Sequence, residues 1–380
     1  MISKVVVGAG FGDEGKGTMT DYLAGEMKAD VVIRFNGGAQ TAHNVVHNGV
    51  HHTFSQWGSA TLRGIPTLLG PKVLVDPEFA LNEAQTLRRF VADPWKLLRI
   101  SPGAVIVTPW HRRWSKALED ARGVYRHGSC GMGIGVAREM ELADQPTLRV
   151  EHLSDAGETL KVLNEVRKSF ALCDMKGLPS VETVYETVMR FRDSLQVDSP
   201  EWVRSPRFVV FEGAQGILLD EKWGTAPHNT WTDCTPKSAL EMVPLSWRRD
   251  VEIVLVTRTY MTRHGYGPFP SEAAIVQPEM HNTWGLYQGD FRRGHLDFQA
   301  LRYSLSVAKR ASEDIHSPRQ FNFALTHFDR IAGMSYVDYA DSGLLPTDIY
   351  ELQRLFEDKL GESIRYASSG PTSAAKKKLW

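Results

Sequence analysis

Val5-Val-Val-Gly-Ala-Gly-Phe-Gly-Asp-Glu-Gly-Lys-Gly17 is the stretch that decides the fold. Three consecutive valines read as a strand buried on both faces, as in the middle of a parallel sheet. The glycines after it let backbone N–H groups approach an anion closely, and a helix beginning near Thr18 adds the positive end of its dipole. Two phosphate-binding patterns fit at once. Gly10-x-Gly12-x-x-Gly15 is the dinucleotide fingerprint, and Gly10-x-x-x-x-Gly15-Lys16 is nearly a P-loop. The dinucleotide reading fails its own test. The second strand, 31–35, runs into Arg34-Phe-Asn-Gly-Gly38 and offers no acidic residue for a ribose. A lysine inside the loop is instead what a triphosphate requires. Gly17 stands where Ser or Thr normally holds Mg²⁺, and Asp13 is the available alternative ligand. Phosphate binding follows from this loop.

Working outward, seven short apolar runs read as strands: 5–7, 31–35, 73–75, 104–107, 208–211, 252–256 and 321–325. Most are separated by stretches of helical periodicity, which predicts an α/β protein with a mainly parallel central sheet. Between 151 and 205 no strand signal appears. Leu160, Leu163, Val166 and Phe170, then Val184, Val188 and Phe191, follow helical spacing and predict an inserted helical subdomain with its stripe in the core. The expectation is one domain over residues 1–380.

The 380 residues carry 44 Lys+Arg against 45 Asp+Glu, a net charge of −1 that excludes a wholesale basic surface for nucleic acid. No apolar run reaches the length of a membrane span, and the chain opens straight into a strand rather than a leader. Cys130, Cys173 and Cys234 are odd in number and far apart, so neither a disulfide framework nor a zinc spacing follows. These features predict a reduced, cytoplasmic protein. Residues 374–380, with three lysines, read as a solvated tail.

Phe11-Gly-Asp-Glu-Gly-Lys-Gly17 resembles the signature loop of the adenylosuccinate synthetase family, and further matches follow in the family's order. They are Gly37-Gly38 with Ala42-His43, Gly128-Ser-Cys-Gly-Met-Gly-Ile-Gly135, Phe211-Glu-Gly-Ala-Gln-Gly216, Thr262-Arg-His-Gly-Tyr-Gly-Pro-Phe-Pro270, Arg292-Arg-Gly-His-Leu-Asp297, Thr326-His-Phe-Asp329 and Ser368-Ser-Gly-Pro371. The resemblance implies a ligase that joins aspartate to C6 of a 6-oxopurine nucleotide. In that chemistry the N1 proton is removed, the γ-phosphoryl group of a triphosphate passes to O6, and the aspartate amine displaces phosphate.

By the same resemblance Asp13 is the base at N1 and a Mg²⁺ ligand, joined by the backbone carbonyl of Ala42. His43 stabilises or protonates the transferring oxygens. Gly12, Glu14, Gly15, Lys16, Gly17 and Thr18 hold phosphates, and Gln215 orients the 6-substituent. Gln40, Ser129, Cys130, Thr230 and Arg263 line the purine nucleotide site. Arg292 and Arg293 clamp the aspartate carboxylates, a task suited to planar guanidinium forks. His327, Asp329, Ser369, Gly370 and Pro371 meet the base of the triphosphate. A homodimer is also implied.

Departures from the family cluster around the purine pocket. Gln40 replaces the usual Asn, Met132 stands in the phosphate loop, and no arginine pair precedes Leu148-Arg-Val150, with Arg138 the nearby substitute. His327 takes the place of a lysine. These departures resemble the branch of the family, viral members included, that acts on dGMP and yields 2-aminoadenylosuccinate. IMP is the alternative substrate, ATP or GTP the donor, and a non-catalytic nucleotide-binding switch the weaker alternative. A nicotinamide-dependent dehydrogenase is the weakest.

Overall fold

The computed structural model describes every residue except 173–175, 197–204, 244–249, 280, 314–318, 340 and 380. Cys173 lies outside the described residues. The centre is a nine-stranded sheet whose strands are β1 (Ile2–Gly8), β2 (Val31–Arg34), β3 (Thr67–Leu69), β4 (Leu98–Ile100), β5 (Phe208–Glu212), β6 (Asp250–Arg258), β7 (Arg319–Thr326), β8 (Ile364–Ser368) and β9 (Lys376–Lys378). Their spatial order is β9-β8-β7-β6-β1-β5-β2-β3-β4, parallel throughout except for the β8–β9 edge pair.

β1 shows why the valine run belongs in the middle. Val5 and Val7 face a core shared with Phe298, Leu301 and Leu305 of helix Phe298–Arg310 and Leu352 and Phe356 of helix Ile349–Leu360. Val6 faces the other way, onto Met19, Tyr22 and Leu23 of helix α1 (Lys16–Met27). Helices therefore cover both faces, and each fully buried aliphatic or aromatic side chain contributes about 1.5–3 kcal/mol relative to exposure. Helices Ala156–Ser169 and Val181–Ser194 form the insertion. Their Leu163, Val166, Val184, Val188 and Phe191 pack in a second core with Trp57, Trp95 and Trp110. Leu160 is on the solvent side, 38% exposed, and does not belong to that stripe.

Two sequence expectations change. The 73–75 and 104–107 runs pair with each other, as Leu74–Val75 and Val105–Ile106, in a separate two-stranded sheet. The lysine-rich end is not a solvated tail. Lys376–Lys378 pairs with Ser368, Ala367 and Tyr366, and the buried Lys376 ammonium donates to the carbonyls of Gly370 (3.2 Å) and Thr372 (2.9 Å).

Candidate active site

In a parallel sheet covered on both faces, ligands lie beyond the carboxyl ends of the strands. Here β1 ends at the glycine loop, β2 at Asn36–Gly38, β5 at Gly213–Gln215, β6 at Arg258, β7 at Thr326-His327 and β8 at Ser368–Pro371. Residues from almost all of these ends line one cavity of about 740 Å³. Its wall includes Gly12, Asp13, Gly15, Lys16, Gly17 and Thr18, then Gln40, Ala42 and His43, then Ser129, Cys130, Gln215, Thr230 and Arg263, and finally His327, Asp329, Gly370 and Pro371. Residues spread over more than 350 positions of sequence thus share one cavity.

The glycine loop is built from within. Gly15, at φ 98°, is the N-cap of α1, and no acidic residue opposes the positive end of that helix in its first turn. Glu14, expected to face phosphate, is turned into the protein instead. Its carboxylate accepts from Gly10 N (3.1 Å) and Gly12 N (2.7 Å) and pairs with Lys16 Nζ at 2.7 Å, so it braces the loop and neutralises the lysine. A carboxylate in that position cannot also hold an anion. Asp13 is different. Its backbone is left-handed (φ 61°), its side chain is 37% exposed, and among the described residues its carboxylate takes no hydrogen bond, with His264 Nδ1 4.0 Å away. Arg258 donates from Nε to the Asp13 carbonyl at 2.6 Å and so fixes the residue's backbone.

His43 opens a β-hairpin, His43–His47 paired with Val50–Phe54. Its Nδ1 lies 2.6 Å from a carboxylate oxygen of Glu212, which also accepts from Ser59 N (3.0 Å) and Ser59 Oγ. Burial pushes the His43 imidazole below its usual range, with Lys16 and Arg34 adding to that and the Glu212 charge opposing it. For Glu212, burial works upward, but the contacts to His43, Arg34 and Ser59 outweigh it and hold the carboxyl below its usual range. The pair is therefore a neutral imidazole donating from Nδ1 to a carboxylate, which leaves Nε2 as the nitrogen with a free lone pair.

Gln215, at φ 63°, and His327, at φ 59°, join Asp13 as non-glycine residues in the left-handed region on the cavity wall. His327 Nδ1 lies 3.1 Å from Thr326 Oγ1, and burial, with Arg258, Arg330 and Lys376 nearby, lowers its pKa to about 2. The ring is thus neutral and apt for stacking rather than for charge recognition. Asp329 Oδ2 is 3.7 Å from Arg330 Nε.

The structure does not bring every expected residue to the wall. Arg292 and Arg293, expected to clamp aspartate, lie on strand Phe291–Gly294 outside the lining. Arg292 Nε pairs with Glu272 at 2.8 Å, and its Nη1 donates to the carbonyls of Gly265 and Gly267. Arg293 donates to Gln277 O at 3.3 Å. Arg138 is paired with Glu141 and does not line the cavity either. Ser368 lines it in place of Ser369, whose backbone N–H goes to Ala375 O at 2.8 Å. Conversely, sequence reading gave no role to His264, Arg258, Trp231, Trp284 and His281 on the wall, or to Glu212 and Ser59 behind it. His264 and Glu212 sit inside motifs quoted above, which was the available signal. Among the described residues no helix is long and apolar enough to cross a membrane, and no cluster of three His, Cys, Asp or Glu could hold a metal by itself.

Comparison with known proteins places this geometry. The adenylosuccinate synthetase family model matches residues 5–337. The adenylosuccinate synthetase of Desulfitobacterium hafniense (strain Y51) is 31% identical over 354 residues, covering 89% of this chain and 80% of its own. That of Myxococcus xanthus is 34% identical over 332 residues, covering 81% and 75%. Among solved structures, fully ligated adenylosuccinate synthetase from Plasmodium falciparum superposes with a TM-score of 0.80 at 19% identity, covering 99% of both chains. The succinoaminodeoxyadenylate synthetase of cyanophage S-2L, bound to dGMP and dATP, does so with a TM-score of 0.65 at 18% identity, covering 99% and 95%. The glycine loop, the His43–Glu212 pair and the cavity beyond the sheet thus sit in a chain that belongs to the adenylosuccinate synthetase family.

Proposed function

We propose that the protein is a ligase that condenses L-aspartate with C6 of a 6-oxopurine nucleotide, and that its nucleotide is dGMP. The observation carrying the reaction is Asp13. It is a carboxylate with no hydrogen-bond partner among the described residues, on a phosphate-binding loop and in the same cavity as His43, Lys16 and Gln215. A carboxylate of this kind can take the N1 proton, and removing it makes O6 nucleophilic toward a γ-phosphoryl group. Lys16 and the first N–H groups of α1 meet the phosphates, where catalysis is mainly charge dispersal. The negative phosphoryl oxygens raise the proton affinity of His43, so that it protonates or stabilises them while Glu212 fixes its orientation. Gln215 orients the 6-substituent, and Ser129, Cys130, Thr230 and Arg263 accommodate the nucleotide.

Mg²⁺ fits the donors present: the Asp13 carboxylate and the backbone carbonyl of Ala42, an exposed residue on the cavity wall, are hard oxygen ligands beside a triphosphate site. Bound there, the ion would disperse charge on the transferring phosphoryl group. Arg292 lies off the wall, so the wall guanidinium of Arg258, which also donates to Tyr260 Oη at 2.9 Å and lies 3.5 Å from Glu279, is the partner we assign to an aspartate carboxylate. His327, Asp329, Gly370 and Pro371 receive the base of the donor, adenine of ATP or guanine of GTP.

Support for dGMP comes from Gln40. Gln40 is a wall residue whose Oε1, buried beside Gly38, has no hydrogen-bond partner among the described residues; turned toward the nucleotide, that acceptor suits the 2-amino group guanine has and hypoxanthine lacks. The likeness in fold to the cyanophage enzyme accords with it. IMP is the second reading, favoured by the names of the curated relatives. The deciding experiment is phosphate release with Mg²⁺ and aspartate, offering dGMP, GMP and IMP in turn with ATP or GTP, with the product weighed by mass spectrometry. A succinylated product from dGMP alone supports the first reading and one from IMP alone the second. No product from any nucleotide, or full turnover by Asp13→Ala, refutes the ligase mechanism.

A further inference from the structure

A buried carboxylate outside the cavity lining has no part in the chemistry above. It is Glu83, on helix Pro77–Leu87, and it is 7% exposed. It gathers the donors of one short turn. Ser55 N (3.2 Å), Ser55 Oγ (2.9 Å), Gln56 N (2.6 Å) and Trp57 N (3.4 Å) all point at its two oxygens. On the opposite side Arg34, 1% exposed, donates from Nη1 to the carbonyls of Ser55 and Trp57. The turn is therefore held between a buried anion and a buried cation. Glu83 itself stands on a fixed platform, because Asp76 caps the helix through Glu78 N (3.1 Å) and Phe79 N (3.3 Å) and Pro77 occupies its first turn.

Both ends of this turn lead to His43. The residue before it, Phe54, is the backbone partner of His43 in the hairpin. The residue at its far end, Ser59, donates two hydrogen bonds to Glu212, the carboxylate that holds the His43 ring. Backbone and ring are thus set by one stretch of six residues, Phe54–Ser59. The fit allows little slack: a methyl group built on Gly17 would lie 2.6 Å from His43 Cβ and 3.0 Å from Ser59 Oγ.

We propose that Glu83 is a positioning residue that acts on the reaction through the turn Ser55–Ser59, fixing the His43–Glu212 pair against the phosphate loop. The inference rests on the reading of His43 given above. A carboxylate is needed because four donors converge on it and a buried guanidinium lies near. An amide presents one acceptor oxygen, turns N–H groups toward N–H groups, and leaves Arg34 without that counter-charge.

The test is a double-mutant cycle of Glu83→Gln and His43→Ala, read as kcat and KM for the nucleotide and for aspartate, with circular dichroism to check folding. Glu83→Gln lowers kcat by about tenfold or more while both KM values stay within about twofold. In the His43→Ala background, measured with enzyme in excess, it adds less than about twofold, because the residue it positions is gone. An equal cost in both backgrounds means general loosening and overturns the proposal, as does a change confined to KM. If Glu83→Gln does not fold, Ser55→Ala removes the hydroxyl bond alone. It lowers kcat about threefold with the same non-additivity, and a wild-type kcat overturns the proposal. Wild-type turnover by His43→Ala removes the reading of His43 and the proposal together, whereas an impaired His43→Ala with additive costs removes only the proposal.

Discussion

Gly17→Ala is the sharpest probe of how closely the phosphate loop and His43 are fitted. Gly17 lies inside α1, where alanine is the better helix former by about 1 kcal/mol, so propensity alone predicts a more stable protein. Packing predicts the reverse. The added carbon would meet His43 Cβ at 2.6 Å, His43 Cγ at 3.0 Å and Ser59 Oγ at 3.0 Å. Carbon atoms settle at about 3.5–4.0 Å, so the hairpin has to retreat by about 1 Å. It cannot yield cheaply, because His43 is held by Glu212 and by the pairing with Phe54. Overpacking of this kind costs about 1–3 kcal/mol of stability. Displacing a catalytic group by about 1 Å costs about 10²-fold in rate, equivalent to about 2.7 kcal/mol of transition-state stabilisation. The expected variant is folded, less stable, and about 10²-fold slower in phosphate release with saturating substrates. Thermal unfolding and steady-state kinetics read the two effects. A variant as stable as the wild type with kcat within about twofold would refute the reasoning, since the close approach would then have no consequence.

Two further predictions concern charge. Arg258→Met raises the KM for aspartate by about tenfold or more, whereas Arg292→Met leaves it within about threefold, because Arg258 lines the cavity and Arg292 lies off its wall. Initial-rate titration of aspartate separates them, and the opposite ranking would return the carboxylate clamp to the Phe291–Gly294 strand. His111 caps helix Pro109–Arg122 by accepting Thr108 N at 3.1 Å, and burial lowers its pKa from 6.5 to about 3. The folded state therefore holds it neutral, and its stabilising contribution is complete above pH 6.5. As pH falls toward 3 the unfolded chain binds a proton that the folded chain refuses, and stability declines by up to about 1.4 kcal/mol per pH unit. His111→Asn keeps an acceptor for Thr108 and flattens that decline. Urea unfolding at pH 7 and pH 5 checks it, and an unchanged slope contradicts the assignment.

The central strands were legible because the apolar runs at 5–7, 252–256 and 321–325 sit inside strands of seven, nine and eight residues. The sheet's flanks were not. Thr67–Leu69 and Leu98–Ile100 are three residues each, too short to show a period, and their pairing depends on partners far away in sequence. Lys376–Lys378 reads as solvated until the carbonyls of Gly370 and Thr372 are seen to receive the Lys376 ammonium. In the site, the loop, His43, Gln215 and the base-end residues were legible as motifs whose residue types need one another chemically. Arg292 was legible as a motif residue, but its place off the cavity wall was not, because motif spacing says nothing about side-chain partners. On Phe291–Gly294, paired to Met261–His264, its guanidinium meets Glu272 before it meets the cavity. Glu212 was visible in sequence, but a buried acid acquires its role only when His43, 169 positions earlier, is folded against it.

Three of the wall residues argue that this cavity is held in tension. Asp13, Gln215 and His327 keep φ near +60°, where a side chain costs about 1–2 kcal/mol relative to glycine. Asp tolerates that region, whereas Gln has no such preference. A fold optimised for stability alone would place glycine at 215, as it does at Gly12 and Gly15, which are also left-handed. Keeping glutamine there is therefore a choice made by the site, and strain of this sort concentrates where function demands a particular side chain. The consequence is measurable. Gln215→Gly and Gln215→Ala both remove the amide and both collapse kcat, but they separate in stability, with the glycine variant more stable than the alanine variant by about 1 kcal/mol because only alanine retains the left-handed penalty. Equal stabilities would show that the backbone at 215 relaxes freely, and the amide's orientation toward the 6-substituent would then be set by the bound nucleotide and not by the protein.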